Sequence, residues 1–497
     1  MKSAPLHELI STLSPGEKRD FKKRAAGTNY LELFNIIEEM PSYLESSVKT
    51  KMSQSNPVFA KNLSFGKNYL YDQIFECLRL IRGREKPLPA PQIAVSEYWA
   101  NLHILLEKGL TAQAMKLIAK AKKFCQVYHL GLDSLKFMFV ERSLVSRFEK
   151  KGTLKKLERI QVACQKIQVD LDMELQLFQV YESIFVQARR QDPPRLHKAL
   201  EEGMSFLEKN EPYFSAEPSF NALIYAHFCK AIKAETFRER ASACFEFAAI
   251  LELYDKDQRV KMANLERYLA TVKNYFNNIA LTATWFSQGE LKKLLDGLQT
   301  LKTKDLKISL NIELLSLYAQ LLYFLYAKEF ERVTTLDNPI QELMAKYKGR
   351  MPIDTFLNFH YNLGLAHIMT GLEHADQKKM RLERSLDWLN DIEKLPKVDT
   401  RAFLVSMAKV LQIIAHFELG NSELALNRAH SMQLHLKEQK KTNSVEYLIV
   451  TTVKKVLKAK IAEKKRELFE LLAVKLRAFE DTEQILFWAG LKIKEYC

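Results

Sequence analysis

The segment Tyr361-Asn362-Leu363-Gly364-Leu365-Ala366-His367-Ile368-Met369-Thr370-Gly371 constrains this chain more than any other. It sets a glycine inside a run of helical periodicity, where glycine costs about 1 kcal/mol relative to alanine. A glycine is kept in such a place when a neighbouring helix must come close to the backbone. A second glycine, Gly371, follows where the left-handed conformation that ends a helix is wanted. The pattern reads as a helix, a tight turn and a second helix returning along the first.

The same rhythm recurs along the chain. After a turn expected at Gly109, Ala114, Ile118 and Ala121 line the next helix at offsets of +5, +9 and +12. Further turns are expected at Gly152, Gln191, Thr236, Gly289, Lys328, Gly371, Gly420 and Glu463. The offsets then select Ala241, Phe245 and Ala248 after Thr236, and Ala425, Ala429 and Met432 after Gly420. The turn at Gly371 is longer and leads to Ser385, Leu389 and Ile392. Neighbouring turns lie 39 to 53 residues apart. Helix pairs at such intervals are expected to bury each pair on the next instead of collapsing around one centre.

Composition agrees with an all-α chain. Of 497 residues, 47% are hydrophobic and 27% charged, with only 15 Gly and 14 Pro. The six cysteines are scattered with no CxxC pair, which argues against a zinc site or a disulfide framework. There is no apolar leader and no long uninterrupted apolar run, so a cytoplasmic, reduced protein without membrane insertion is expected.

Residues 1–83 read as a separate N-terminal helical module. Ser14-Pro15-Gly16-Glu17 has the sequence of a capped helix start, with serine as the cap, proline in the first turn and glutamate three after the cap. The segment 84–92 holds three prolines in five residues, which no helix interior accommodates, and marks a linker. Residues 93–497 carry the repeats.

Several of these positions match a known pattern. His360, Leu363, Gly364, His367 and Gly371 fall on the first-helix positions of the tetratricopeptide repeat, and Phe417-Glu418-Leu419-Gly420-Asn421 through Ala425 match its turn. The chain thus resembles tetratricopeptide-repeat-like proteins, with departures. Histidines stand at two aromatic positions, Gln412 and Ile413 replace Leu-Gly, Asn101 and Leu102 depart similarly, and the spacing exceeds the usual 34 residues. Over its whole length the chain resembles large bacterial tetratricopeptide-like proteins of unassigned activity. With these it shares Leu13-Ser14, Glu17-Lys18-Arg19, Phe21, Tyr30-Leu31, Leu33-Phe34 and Lys67-Asn68-Tyr69-Leu70-Tyr71. The resemblance implies a right-handed superhelical α-solenoid of about nine antiparallel helix pairs behind the N-terminal module. It further implies a non-enzymatic adaptor that holds a peptide or partner helix in a concave groove.

On the best-matched helix, Asn358, Tyr361, Asn362, Leu365 and Met369 share one face and are the expected partner-binding residues. In peptide-binding members of the family, an asparagine at the place of Asn362 contacts the ligand backbone. A second candidate is basic. The +15 chain has its sharpest excess between Lys108 and Lys166, with 14 Lys/Arg against Asp133, Glu141, Glu149 and Glu158. There Lys116, Lys120 and Lys123 share a helix face, and Lys150, Lys151, Lys155, Lys156 and Arg159 surround the next turn. Such a surface suits nucleic acid or another polyanion, although few aromatics are interleaved for base stacking.

Reaction chemistry is not written in the sequence. It lacks a phosphate loop, G-x-S-x-G, HExxH and GxGxxG. His360, His367 and His374 recur every seven residues, but i and i+7 on a helix lie about 10.5 Å apart by rise, too far to share a metal. No catalytic residue, cofactor or metal is expected.

Overall fold

A computed structural model describes residues 5–82, 90–148, 152–190, 193–281, 288–301, 303, 305–347, 351, 353–394, 402–479 and 483–496. Every regular element among the described residues is a helix. The N-terminal module comprises the helices Pro5–Thr12, Pro15–Arg24, Asn29–Glu38, Glu45–Ser55, Pro57–Lys61 and Leu63–Arg82. It has a hydrophobic core of its own, centred on Leu33, Phe34, Ile37, Met52 and Leu70. The Ser14 cap forms as read: the Glu17 N–H donates to Ser14 Oγ at 3.3 Å, and the Ser14 N–H donates to Glu17 Oε2 at 2.8 Å. Of the expected linker, residues 84–89 lie outside the described residues, as does Gly83 at the end of the module. Pro91 and Gln92 already open the helix Pro91–Glu107, with proline in its first turn.

From Pro91 onward many helices pack on their neighbours in sequence, while Thr153–Arg190 also packs on Phe220–Thr236, and Leu265–Leu281 on Leu306–Tyr326. Pro91–Glu107 lies on Thr111–Val127, which lies on Gly131–Phe148, and this on Thr153–Arg190. Phe220–Thr236 pairs with Arg240–Asp255, and the latter with Leu265–Leu281. Ile353–Glu373, Lys378–Glu393, Ala402–Glu418, Ser422–Glu438, Val445–Lys458 and Ala462–Leu476 follow in the same manner. The consequence is surface. The chain exposes 27706 Å², whereas a compact monomer of 57.7 kDa would expose about 19,000 Å².

Gly364 does what an in-helix glycine was expected to do. A Cβ there would sit 2.6 Å from Cγ of the fully buried Leu389, on the returning helix. The close approach also lets Ser385 Oγ donate to the Gly364 carbonyl at 2.7 Å. Gly371 departs from expectation. It lies inside Ile353–Glu373, with no left-handed φ, and the space it leaves is taken by Lys378 backbone and Arg381 Cβ at 3.1–3.6 Å. Its small size serves packing, and the helix ends two residues later.

Gly109, Gly152 and Gly420 take φ of 69°, 69° and 79°, as turn glycines should. Arg238 and Lys328 take the same conformation at 61° and 60° without being glycine. This explains one error of register. Counted from Thr236, the offsets pick Ala241 and Phe245, yet both are exposed, Phe245 by 70%. Counted from Arg238, the same offsets land on Ala243, Phe247 and Ile250, all buried.

Two other turns move. Gly289 lies inside Gln288–Thr300, and Glu463 lies in the first turn of Ala462–Leu476, after a break at Ala459–Ile461. Gln191 lies outside the described residues, between helices that end at Arg190 and resume at Pro193. The largest departure is Thr153–Arg190, one unbroken helix of 38 residues. It contains neither glycine nor proline, so nothing in it forces the turn that regular pairing would need.

One stretch among the described residues, Ile308–Leu325, is long and apolar enough to cross a membrane. Leu314, Leu315, Tyr318, Leu321 and Leu325 from this stretch are buried in the protein core.

Candidate functional site

The helix Ile353–Glu373 is covered on several sides. It packs against Leu306–Tyr326, Phe330–Thr334, Lys378–Glu393, Ala402–Glu418 and the C-terminal helix Glu483–Glu495. As a result Asn358, Asn362, Leu365 and Met369 are buried, with Asn362 only 8% exposed, and Tyr361 is half-buried. An open groove over these residues would need the covering helices absent. Four of the five expected residues thus pack against neighbouring helices, and Tyr361 keeps part of its surface.

The two histidines on this helix are structural in the same sense. His360 lies against Phe356, with ring centroids 3.7 Å apart, and its Nδ1–H donates to the Phe356 carbonyl at 2.8 Å. Burial pushes its pKa down. His367 Nε2 lies 3.0 Å from Asp337, whose carboxylate also accepts from Arg384 Nε at 2.9 Å. Burial acts to raise the Asp337 pKa, but the hydrogen bonds and charges of His367 and Arg384 outweigh it and hold the carboxyl below its usual range. Among the described residues no group of three or more His, Cys, Asp or Glu side chains is placed to hold a metal ion.

The C-terminal helix is fixed by one carboxylate. Glu418, at the end of Ala402–Glu418, has a side chain with no exposed surface. It accepts from Trp488 Nε1, Lys492 Nζ and Lys378 Nζ, each at 2.8 Å. Burial acts to lower the Lys492 pKa, yet Glu418 and Glu495 outweigh it and raise the value, so the ammonium is retained. Phe417 and Phe469 pack around Trp488, and Phe487 reaches back to Phe330.

The basic candidates occupy two helices. Lys116, Lys120 and Lys123 are exposed on Thr111–Val127, with Lys120 lying over the Tyr98 ring. Lys155, Lys156 and Arg159 are exposed at the start of Thr153–Arg190, while Lys150 and Lys151 lie outside the described residues. The long helix adds a feature that charge counting missed. Lys155, Arg159, Val162, Lys166 and Val169 recur at helical spacing on one face and are all exposed, Val162 by 65% and Val169 by 57%.

A further concavity was not foreseen. A polar cavity of about 270 Å³ opens where five separate parts of the chain converge. His129 comes from the turn before Gly131–Phe148, where it takes a φ of 54°, and its ring stacks on Phe220 at 4.4 Å. Glu174 comes from the middle of the long helix and accepts from Ser219 Oγ at 2.6 Å and Asn221 Nδ2 at 3.3 Å. Burial pushes the Glu174 pKa up. Arg267, at the start of Leu265–Leu281, borders the cavity with its guanidinium 5.4 Å from the Tyr225 ring and 3.4 Å from the Tyr225 hydroxyl. No carboxylate among the described residues forms an ion pair with it.

Comparison with family models, curated proteins and solved structures returns no match to this chain. What can be said of its function rests on these residues and their geometry.

Proposed function

We propose that the chain is a non-enzymatic protein-interaction scaffold, a tetratricopeptide-like right-handed superhelical array with a docking face for an acidic amphipathic partner helix. The observation that supports it best is the exposed stripe Lys155, Arg159, Val162, Lys166 and Val169 on the 38-residue helix. From Lys155 to Val169 the stripe runs about 21 Å, four turns of a partner helix. Exposed valines flanked by cations suit a helix that presents apolar side chains bordered by Asp and Glu. In this reading the docking face is the long helix, where the apolar side chains are exposed.

The test is affinity capture from a native extract, with the partner identified and its binding segment then titrated against the whole chain. Replacing Val162 and Val169 together with aspartate should weaken that segment at least about tenfold, through lost apolar burial and new repulsion, with helicity unchanged. Equal binding by wild type and variant would contradict the assignment of this face.

A second reading, nucleic-acid binding, draws on the exposed Lys116, Lys120, Lys123, Lys155, Lys156 and Arg159. In the same titrations, binding to generic DNA or RNA that falls steeply with salt would favour it, and no binding at low salt would remove it.

A further inference from the structure

We infer that the cavity beside Arg267 is a binding site for a small oxyanion-bearing molecule, a carboxylate or a phosphate monoester, with the Arg267 guanidinium as its anchor. This goes beyond the scaffold reading and does not depend on it.

Size and lining narrow the occupant. A helix with side chains is about 10–12 Å across and cannot enter a cavity of about 270 Å³. The walls carry Glu174, Asn221, Asn264 and Arg267, so an apolar ligand would strand their polar groups. Charge then decides the sign. The Glu174 carboxylate is already engaged by Ser219 and Asn221. Arg267 has five N–H donors; its side-chain partners are the Tyr225 hydroxyl, at a long 3.4 Å, and the nearby Tyr254 hydroxyl, two neutral acceptors for five donors. A planar fork with donors in excess of acceptors matches a carboxylate or phosphate edge in bidentate fashion. The Tyr225 ring and the Phe220–His129 stack supply flat walls that hold the rest of a small molecule in place.

The experiment is ligand-observed NMR on the full chain at millimolar probe, using L-glutamate, inorganic phosphate and adenosine monophosphate, with choline as the cationic control. At least one anion is expected to bind and choline is not; which anion binds tells carboxylate from phosphate. Arg267→Gln should weaken that anion at least about tenfold, and Arg267→Lys should weaken it less. Glu174→Gln, which removes a negative charge from the wall, should tighten it. The inference is overturned if no anion binds, if choline binds equally well, or if Arg267→Gln binds as wild type does. Should Arg267→Gln fail to fold, Glu174→Gln decides alone: tighter binding supports the site, and unchanged or weaker binding overturns it.

Discussion

Replacing Glu418 with alanine is expected to destabilise the chain by about 3–5 kcal/mol, the usual consequence of removing one partner of a buried ion pair. The carboxylate is fully buried and accepts from three donors, Trp488 Nε1, Lys492 Nζ and Lys378 Nζ. Without it Lys492, with only 4% of its side chain exposed, keeps the partner Glu495 alone. The indole N–H of the fully buried Trp488 loses its acceptor as well. Lys378 is a third exposed and can turn to water, so the damage concentrates on the C-terminal helix. Urea unfolding monitored by tryptophan fluorescence should show the loss, with a red shift as Trp488 meets water. Glu418→Gln keeps the shape and should fall between. A loss below about 1 kcal/mol for Glu418→Ala would mean that the C-terminal helix is held by its aromatic contacts alone.

Gly364→Ala should destabilise despite a favourable change in helix propensity. The substitution gains about 1 kcal/mol from the helix backbone. Against this, the new Cβ would lie 2.6 Å from Leu389 Cγ and 2.7 Å from Cδ2, inside an interface where Leu389 is fully buried. Overpacking of this kind costs about 1–3 kcal/mol. Separating the helices also stretches the bond from Ser385 Oγ to the Gly364 carbonyl, and a buried acceptor left without its donor costs about 1–3 kcal/mol more. A net loss of about 1–5 kcal/mol follows. A double-mutant cycle with Leu389→Ala isolates the contact: the two changes should be less harmful together than their sum. Strict additivity would show that the close approach is not where the energy lies.

The parts of this architecture that could be read in advance were local. Ser14 and Glu17 cap a helix because their side chains reach backbone three residues away, and Gly109 and Gly420 end helices through their own φ. Gly364 was legible for a related reason, since a glycine amid apolar helix formers has few uses other than close packing. Errors arose where a residue acted through distant neighbours. Gly371 looks like a stop, but its smallness serves the approach of Lys378 and Arg381. Arg238 carries a left-handed turn with no glycine to mark it, so the buried register begins two residues later than the sequence suggests.

The burial of the expected binding residues was hidden from the sequence for the same physical reason. Asn358, Asn362, Leu365 and Met369 do share a helix face, but which side of a helix is covered depends on helices tens of residues away, among them Glu483–Glu495. The anion cavity joins His129, Glu174, Asn221 and Arg267, and no spacing rule links such positions. The long helix was different. Its lack of glycine and proline from Thr153 to Arg190 was open to inspection, and with it the stripe from Lys155 to Val169.

The central claim is that these helices form an extended array, each resting on its neighbours, and small-angle X-ray scattering of the monomer tests it most directly. A compact chain of 497 residues would have a radius of gyration of about 23 Å. The extended array proposed for this chain predicts a value clearly above that figure, in keeping with the large accessible surface. A value near the compact figure would contradict it.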